Sequence, residues 1–200
     1  MKVAANFEAT DWAGLRARLT SGAADAWKEA VSLLRARICG RYLDQARQLL
    51  GRSHSGFAIL AIDCAVVEAL EQFRRGEKET PRRKGKEFFR DFLTQTRFGK
   101  HFSVAAAELF YETIRCGILH QAETKADSLV KKKTSAQFVV QQSPTGKGLI
   151  INAIRFHAEL EAALDDYAEA LLEGHAQLRA NFIAKMNYIA KVQPGVAGVV

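Results

Sequence analysis

The chain has 200 residues, of which 48% are hydrophobic and 26% charged, proportions of an ordinary soluble domain long enough to bury a core. Its formal net charge of +7 favours an anionic partner, nucleic acid first, and leaves the fold open. Three widely spaced cysteines (Cys39, Cys64 and Cys116) with no CxxC pair argue against a zinc ribbon or a disulfide framework and for a reducing, cytoplasmic setting.

The opening MKVAANFEATDW lacks the apolar stretch of a signal peptide, and no run approaches the ~20 apolar residues of a membrane span, so no membrane partner is expected. Residues 1–21 are short and mixed and predict an N-terminal arm, loosely attached, or a short helix. From residue 23 to 50, Trp27, Val31, Leu34, Ile38 and Leu49 recur near helical spacing, and Gly51 stops the helix. After RSHSG, the positions Ile59, Ile62, Val66, Leu70 and Phe73 step by three and four, predicting a core helix with Asp63, Glu68 and Glu71 on or beside its buried stripe.

Arg74 to Lys100 holds ten basic residues against four acidic ones. Gly76, Pro81 and Gly85 break it into a loop and a short helix around Phe88 to Leu93. Its phenylalanines, Phe88, Phe89 and Phe92, read as core. A further long helical pattern starts at Ser103, with Ala106, Leu109, Phe110, Thr113, Ile114, Gly117 and Ile118 on one broad apolar face. The period then changes: Phe138-Val139-Val140 and Leu149-Ile150-Ile151 flank Ser143-Pro144-Thr145-Gly146, a small β-hairpin within 136–152. Helix returns at Ile154, with His157, Leu160, Leu164, Tyr167 and Leu171 in register and six acids against one base between Arg155 and Glu173. Gly174 caps it, a last helix follows, and residues 193–200 form a flexible tail. The expected fold is all-α, a single helical bundle over 1–200 with one hairpin inserted.

Motif chemistry is sparse. No histidine pair has HxxxH spacing, and no P-loop, GxGxxG or GxSxG elbow is present, so metal, nucleotide and serine-hydrolase chemistry start low. His157 reads as a satisfied core histidine. Asp63 and Glu68 point about 140° apart on a regular helix, which favours ion pairs with neighbouring helices over a shared acid–base role. The run RCGILHQAETK, Arg115 to Lys125, is different, because it concentrates an arginine, a cysteine, a histidine and a glutamate around Gly117. Two readings stand. In one, Glu112 pairs with Arg115 and His120 caps a helix C-terminus. In the other, Gly117 loosens the helix so that the long Arg115 side chain reaches His120.

The company of this motif carries a resemblance. AIDCAVVEALEQF, a Gly-containing basic loop, EFFRDFL, and then ELFYETIRCGILHQAETK together resemble the HEPN family, in particular its plasmid- and defence-associated subgroup. The likeness spans about residues 24 to 172 and is strongest from 57 to 125. It implies an α-helical bundle, commonly a homodimer, and in many members a metal-independent endoribonuclease with an Arg, four to six residues, then His. That pattern maps onto Arg115 and His120. Cys116 stands where the family often has a polar residue after the arginine.

The residue types suit the implied reaction. A histidine can take the 2′-OH proton and an arginine can steady charge on the phosphate, so RNA is the implied substrate and a 2′,3′-cyclic phosphate the product, with no cofactor. Glu68 is the acid expected beside the motif, holding Arg115 or His120. Arg82, Arg83 and Lys84, from the basic loop, and Gln121, next to His120, are the expected substrate contacts. The resemblance further implies a toxin-like or phage-defence role and a regulatory partner such as an antitoxin. The alternative is a catalytically inactive HEPN module that dimerises and binds RNA or protein.

Overall fold

The computed structural model describes residues 2–23 and 25–191, so the tail expected at 193–200 lies outside the described residues. The chain is predominantly helical. Strands β1 (Lys2–Ala4) and β2 (Phe7–Glu8) precede helices α1 (Ala9–Thr20), α2 (Ala26–Ile38), α3 (Asp44–Leu49), α4 (Gly56–Arg75), α5 (Gly85–Gln95), α6 (Val104–Phe110) and α7 (Cys116–Gln121). Three short strands, β3 (Leu129–Lys131), β4 (Val140–Gln142) and β5 (Leu149–Asn152), lead into α8 (Ala153–Glu173) and α9 (Ala176–Ile189). Two π-helical turns, Cys39–Leu43 and Tyr111–Arg115, interrupt what the sequence pattern reads as single long helices. Among the described residues no helix is long and apolar enough to cross a membrane.

The chain falls into two compact units: Met1–Arg41 with Gln72–Glu79 and Tyr167–Val200, and Tyr42–Glu71 with Thr80–Asp166. In the first unit, the segment expected as an arm or short helix forms the β1–β2 pair and α1, and Trp12 and Leu15 are buried. The Phe182 ring lies between Trp12, Trp27 and Phe73, with centroids 5.7 to 6.1 Å away. Trp12 satisfies its indole N–H by donating to Asn187 Oδ1 at 2.8 Å, which lets a large ring be fully buried. Lys185 is buried too. Its ammonium donates to Gln72 Oε1 and to the Lys78 carbonyl at 2.7 and 2.5 Å, tying down the chain after α4.

The second unit carries a phenylalanine core. Phe110 and Phe156 stack at 5.2 Å, Phe98 adjoins Phe156 at 4.9 Å, and Phe88, Phe89 and Phe92 on α5 are buried as their spacing predicts. The acidic run of α8 is partly neutralised from the basic segment. Arg97 and Lys100 hold Glu159 at 2.8 and 3.1 Å, and Arg97 also reaches Asp166.

The expected hairpin is present as antiparallel β4 and β5, with Gly146 at φ +73 in its turn. Strand β3 adds a parallel edge that the sequence did not announce, giving the order β3-β5-β4. Three residues are too few to show alternation, and Lys131 to Lys133 read as solvated charge. Ser128 anchors the entry to β3: its hydroxyl donates to Thr113 Oγ1 at 2.9 Å and accepts from the Leu149 N–H at 3.0 Å.

Candidate functional site

Helix α6 begins at Ser103, whose side chain accepts from the Ala106 N–H, and runs into the π-turn Tyr111–Arg115. There the Cys116 N–H bonds back five residues to the Tyr111 carbonyl. Such single π-turns widen the helix by one residue and recur at functional sites. Regular helix resumes in α7 and stops at Ala122, which adopts the left-handed conformation at φ 54 and donates to the carbonyls of Gly117 and Ile118. Arg115 therefore leaves the π-turn just as α7 begins, and His120 sits on the exposed last turn.

Arg115 Nη1 and His120 Nε2 lie 3.4 Å apart, while Arg115 Nη2 donates to Glu68 Oε2 at 3.0 Å. Glu68 comes from α4, so two separate stretches of chain hold one guanidinium. The Arg115 side chain is only 18% exposed, and Glu68 supplies its ion pair. Its Nε is buried without a hydrogen-bond partner among the described residues. Below it lie two rings, Tyr111 with its centroid 5.4 Å from the guanidinium carbon and Phe89 at 5.9 Å, both within cation–π range. Arginine has donors only, so in this contact Nε2 of His120 stands in the acceptor position.

The electrostatics follow from this packing. Burial works to lower the Arg115 pKa, but the Glu68 hydrogen bond and charge, aided by Tyr111 and Cys116, outweigh it and leave the group raised. Arg115 is a permanent cation here. Burial, then the neighbouring Cys116, raises the Tyr111 phenol. Burial also pushes the Cys64 thiol up strongly, so that cysteine is inert.

Of the expected residues, Arg115, His120 and Glu68 are brought together. The Glu112–Arg115 pair of the alternative reading does not form, because Glu112 takes Lys86 at 3.0 Å and Arg115 takes Glu68. The loosening assigned to Gly117 is also corrected. Gly117 lies inside α7, and a Cβ there would stand 2.3 Å from the Glu123 carbonyl oxygen; it is needed for close approach of the following chain. The distortion sits in the π-turn before it.

Gln121 is exposed beside His120 at the end of α7. Arg82, Arg83 and Lys84 are exposed in the loop before α5, and none is hydrogen-bonded to the Arg115 cluster; Lys84 pairs with Glu87 at 2.6 Å. What joins this loop to the site is Gly85, where a Cβ would lie 2.5 Å from the Tyr111 hydroxyl.

Sequence reasoning missed Tyr111 and Phe89 as neighbours of the arginine. The available signal was an aromatic one helical turn before Arg115, but such a residue reads first as core. His157 is a core histidine as expected, with Nδ1 2.8 Å from Asp63 Oδ1. Among the described residues no three His, Cys, Asp or Glu side chains are grouped to hold a metal ion. Compared with protein-family models, curated proteins and solved structures, the chain matches none.

Proposed function

We propose that this chain is an endoribonuclease of the HEPN type that needs no metal and cleaves RNA through its own 2′-OH. The observation that carries the reading is the 3.4 Å contact of Arg115 Nη1 with His120 Nε2 beside the Glu68 anchor. An RNA phosphate is a stronger acceptor for Nη1 than an imidazole. As the guanidinium turns that donor onto the phosphate, Nε2 is released to act as base. His120 then takes the 2′-OH proton, the 2′ oxygen attacks phosphorus, and the bond from phosphorus to the 5′ oxygen breaks. The products are a 2′,3′-cyclic phosphate and, after protonation, a 5′-hydroxyl.

The leaving oxygen needs an acid, and Arg115 cannot give up a proton at working pH. A two-fold dimer supplies one, because the second copy brings another His120 to a shared cleft and another Arg115 to the phosphate. Mixing excess Arg115→Ala, His120→Ala double variant into wild type then lowers activity beyond simple dilution.

The deciding experiment incubates purified protein with mixed cellular RNA in EDTA. Wild type cleaves and leaves cyclic phosphate ends, while Arg115→Ala and His120→Ala each lose cleavage with unchanged circular dichroism. A folded variant with wild-type cleavage sinks the assignment. RNA binding without cleavage by the wild type, in EDTA and with added Mg²⁺ alike, favours the inactive binding module instead.

A further inference from the structure

An arginine held at one end by Glu68 can still swing about its long side chain, and among the described residues its buried Nε has no hydrogen-bond partner to stop it. Beyond the 3.4 Å contact of Nη1 with His120, the remaining restraint is aromatic. The guanidinium carbon stands 5.4 Å from the Tyr111 ring centroid and 5.9 Å from that of Phe89, and these two rings contact each other at 5.4 Å with planes 56° apart. Tyr111 is itself wedged. Its hydroxyl faces Gly85, where only the absence of a Cβ leaves room, and its backbone lies at the start of the π-turn that ends at Arg115.

We propose that Tyr111 is a positioning residue, whose ring face sets the plane of the Arg115 guanidinium so that Nη1 points at His120 while Nη2 stays on Glu68. Gly85 is the other half of the device, because its bare Cα lets the tyrosine ring lie flat enough to do this. The end of the basic loop is thereby coupled to the arginine without touching it. The inference rests on the ribonuclease reading for its catalytic consequence, but the positioning itself is read separately.

Tyr111→Phe retains the ring and Tyr111→Leu removes it. Nitrogen NMR of the arginine side chains, with Arg115 assigned by its loss in Arg115→Lys, reports whether Nη1 and Nη2 are held apart or average by rotation. Wild type and Tyr111→Phe give separate Nη signals, whereas Tyr111→Leu gives one averaged signal. In RNA cleavage, Tyr111→Leu lowers kcat by about tenfold, the scale of one partly desolvated cation–π contact, with little change in KM. Tyr111→Phe loses no more than about threefold.

Gly85→Ala attacks the same contact from the opposite side and serves if Tyr111→Leu fails to fold. Its Cβ meets the hydroxyl at 2.5 Å but the ring carbons only at 3.1 Å. Gly85→Ala therefore averages the Arg115 signals, and adding Tyr111→Phe, which deletes the obstructing oxygen, separates them again. Separate signals in Tyr111→Leu, or averaged ones in Tyr111→Phe, overturn the proposal. A wild type that holds Arg115 rigid yet cleaves no RNA overturns the ribonuclease reading and leaves the positioning standing.

Discussion

Glu68 and Arg115 form a pair in which the loss of one member strands the other. Their side chains are 24% and 18% exposed, so water does little to replace a missing partner. Glu68→Ala should destabilise the protein by about 1–3 kcal/mol, the cost of leaving a mostly buried charged donor unpaired. Glu68→Gln keeps an acceptor oxygen and should lose less; urea midpoints of the two variants read the difference. A smaller loss for Ala than for Gln would mean that Glu68 strains Arg115 and does not anchor it. Gly117 poses a steric question instead. Its missing Cβ would meet backbone, the Glu123 carbonyl oxygen at 2.3 Å and Thr124 Cα at 3.2 Å, and backbone cannot rotate away as a side chain can. Gly117→Ala should cost about 1–3 kcal/mol by overpacking. Gly14→Ala on α1, where a Cβ meets nothing within 4 Å among the described residues, is the control and should gain a few tenths of a kcal/mol up to ~1. Equal thermal melting of the two variants would refute the close approach as the reason for Gly117.

Between α4 and α8 the fold buries a titrating pair, Asp63 and His157, at 0% and 1% exposure. Burial pushes the Asp63 carboxyl up to about 6 against the pull of His157. Burial works to lower His157, but the hydrogen bond and charge of Asp63 win and leave it raised. Glu161, with Oε1 3.5 Å from His157 Nε2, adds to this, while Arg47, paired with both Glu161 and Asp44, opposes it. Both groups thus hold protons more tightly in the fold than in the unfolded chain. Their contribution to stability is therefore complete at low pH, fades for Asp63 as pH rises from about 4 to 6, and fades for His157 above about 6.5. The urea midpoint of the wild type should fall between pH 6 and 8, and His157→Gln should flatten that fall. A wild type that grows more stable over that interval would contradict the pairing. His157 was legible as a core residue because it shares a face with Leu160 and Leu164, but its partner was not, since a helical period says which face is buried and never what it meets. The π-turns were hidden for a related reason: one extra residue per turn shifts an apolar stripe too little to show in a short window. Strand β3 has three residues and no alternation to read. At the site, the Arg–x4–His spacing picked out two side chains that stand 3.4 Å apart, while Tyr111 was hidden among core aromatics whose spacing carries no sign of the arginine they face.

At the scale of the whole chain, the +7 charge is far from evenly available. Between Thr80 and Lys100, Lys84, Lys86, Arg90, Arg97 and Lys100 all face carboxylates within the fold. Arg82 and Arg83 are exposed and carry no ion pair among the described residues, and Gly85, two positions on from Arg83, abuts the ring under Arg115. A phosphate backbone entering the Arg115 site would find its free cations there. Each phosphate neutralised on a single strand contributes about −0.7 to the slope of log K against log salt. The double reversal Arg82→Glu, Arg83→Glu should therefore weaken RNA binding and make that slope shallower by about 1.4 or more. It also cuts the net charge from +7 to +3, because each reversal removes two positive charges, so a control of equal charge is required. Lys28→Glu with Lys147→Glu, both at exposed positions, makes the same change in net charge elsewhere. Fluorescence anisotropy with a labelled single-stranded RNA, titrated at several salt concentrations, should show the loop variant shifted in slope and the control shifted little. Equal slopes for the two would mean that RNA responds to the overall charge alone and that the loop has no privileged place in binding.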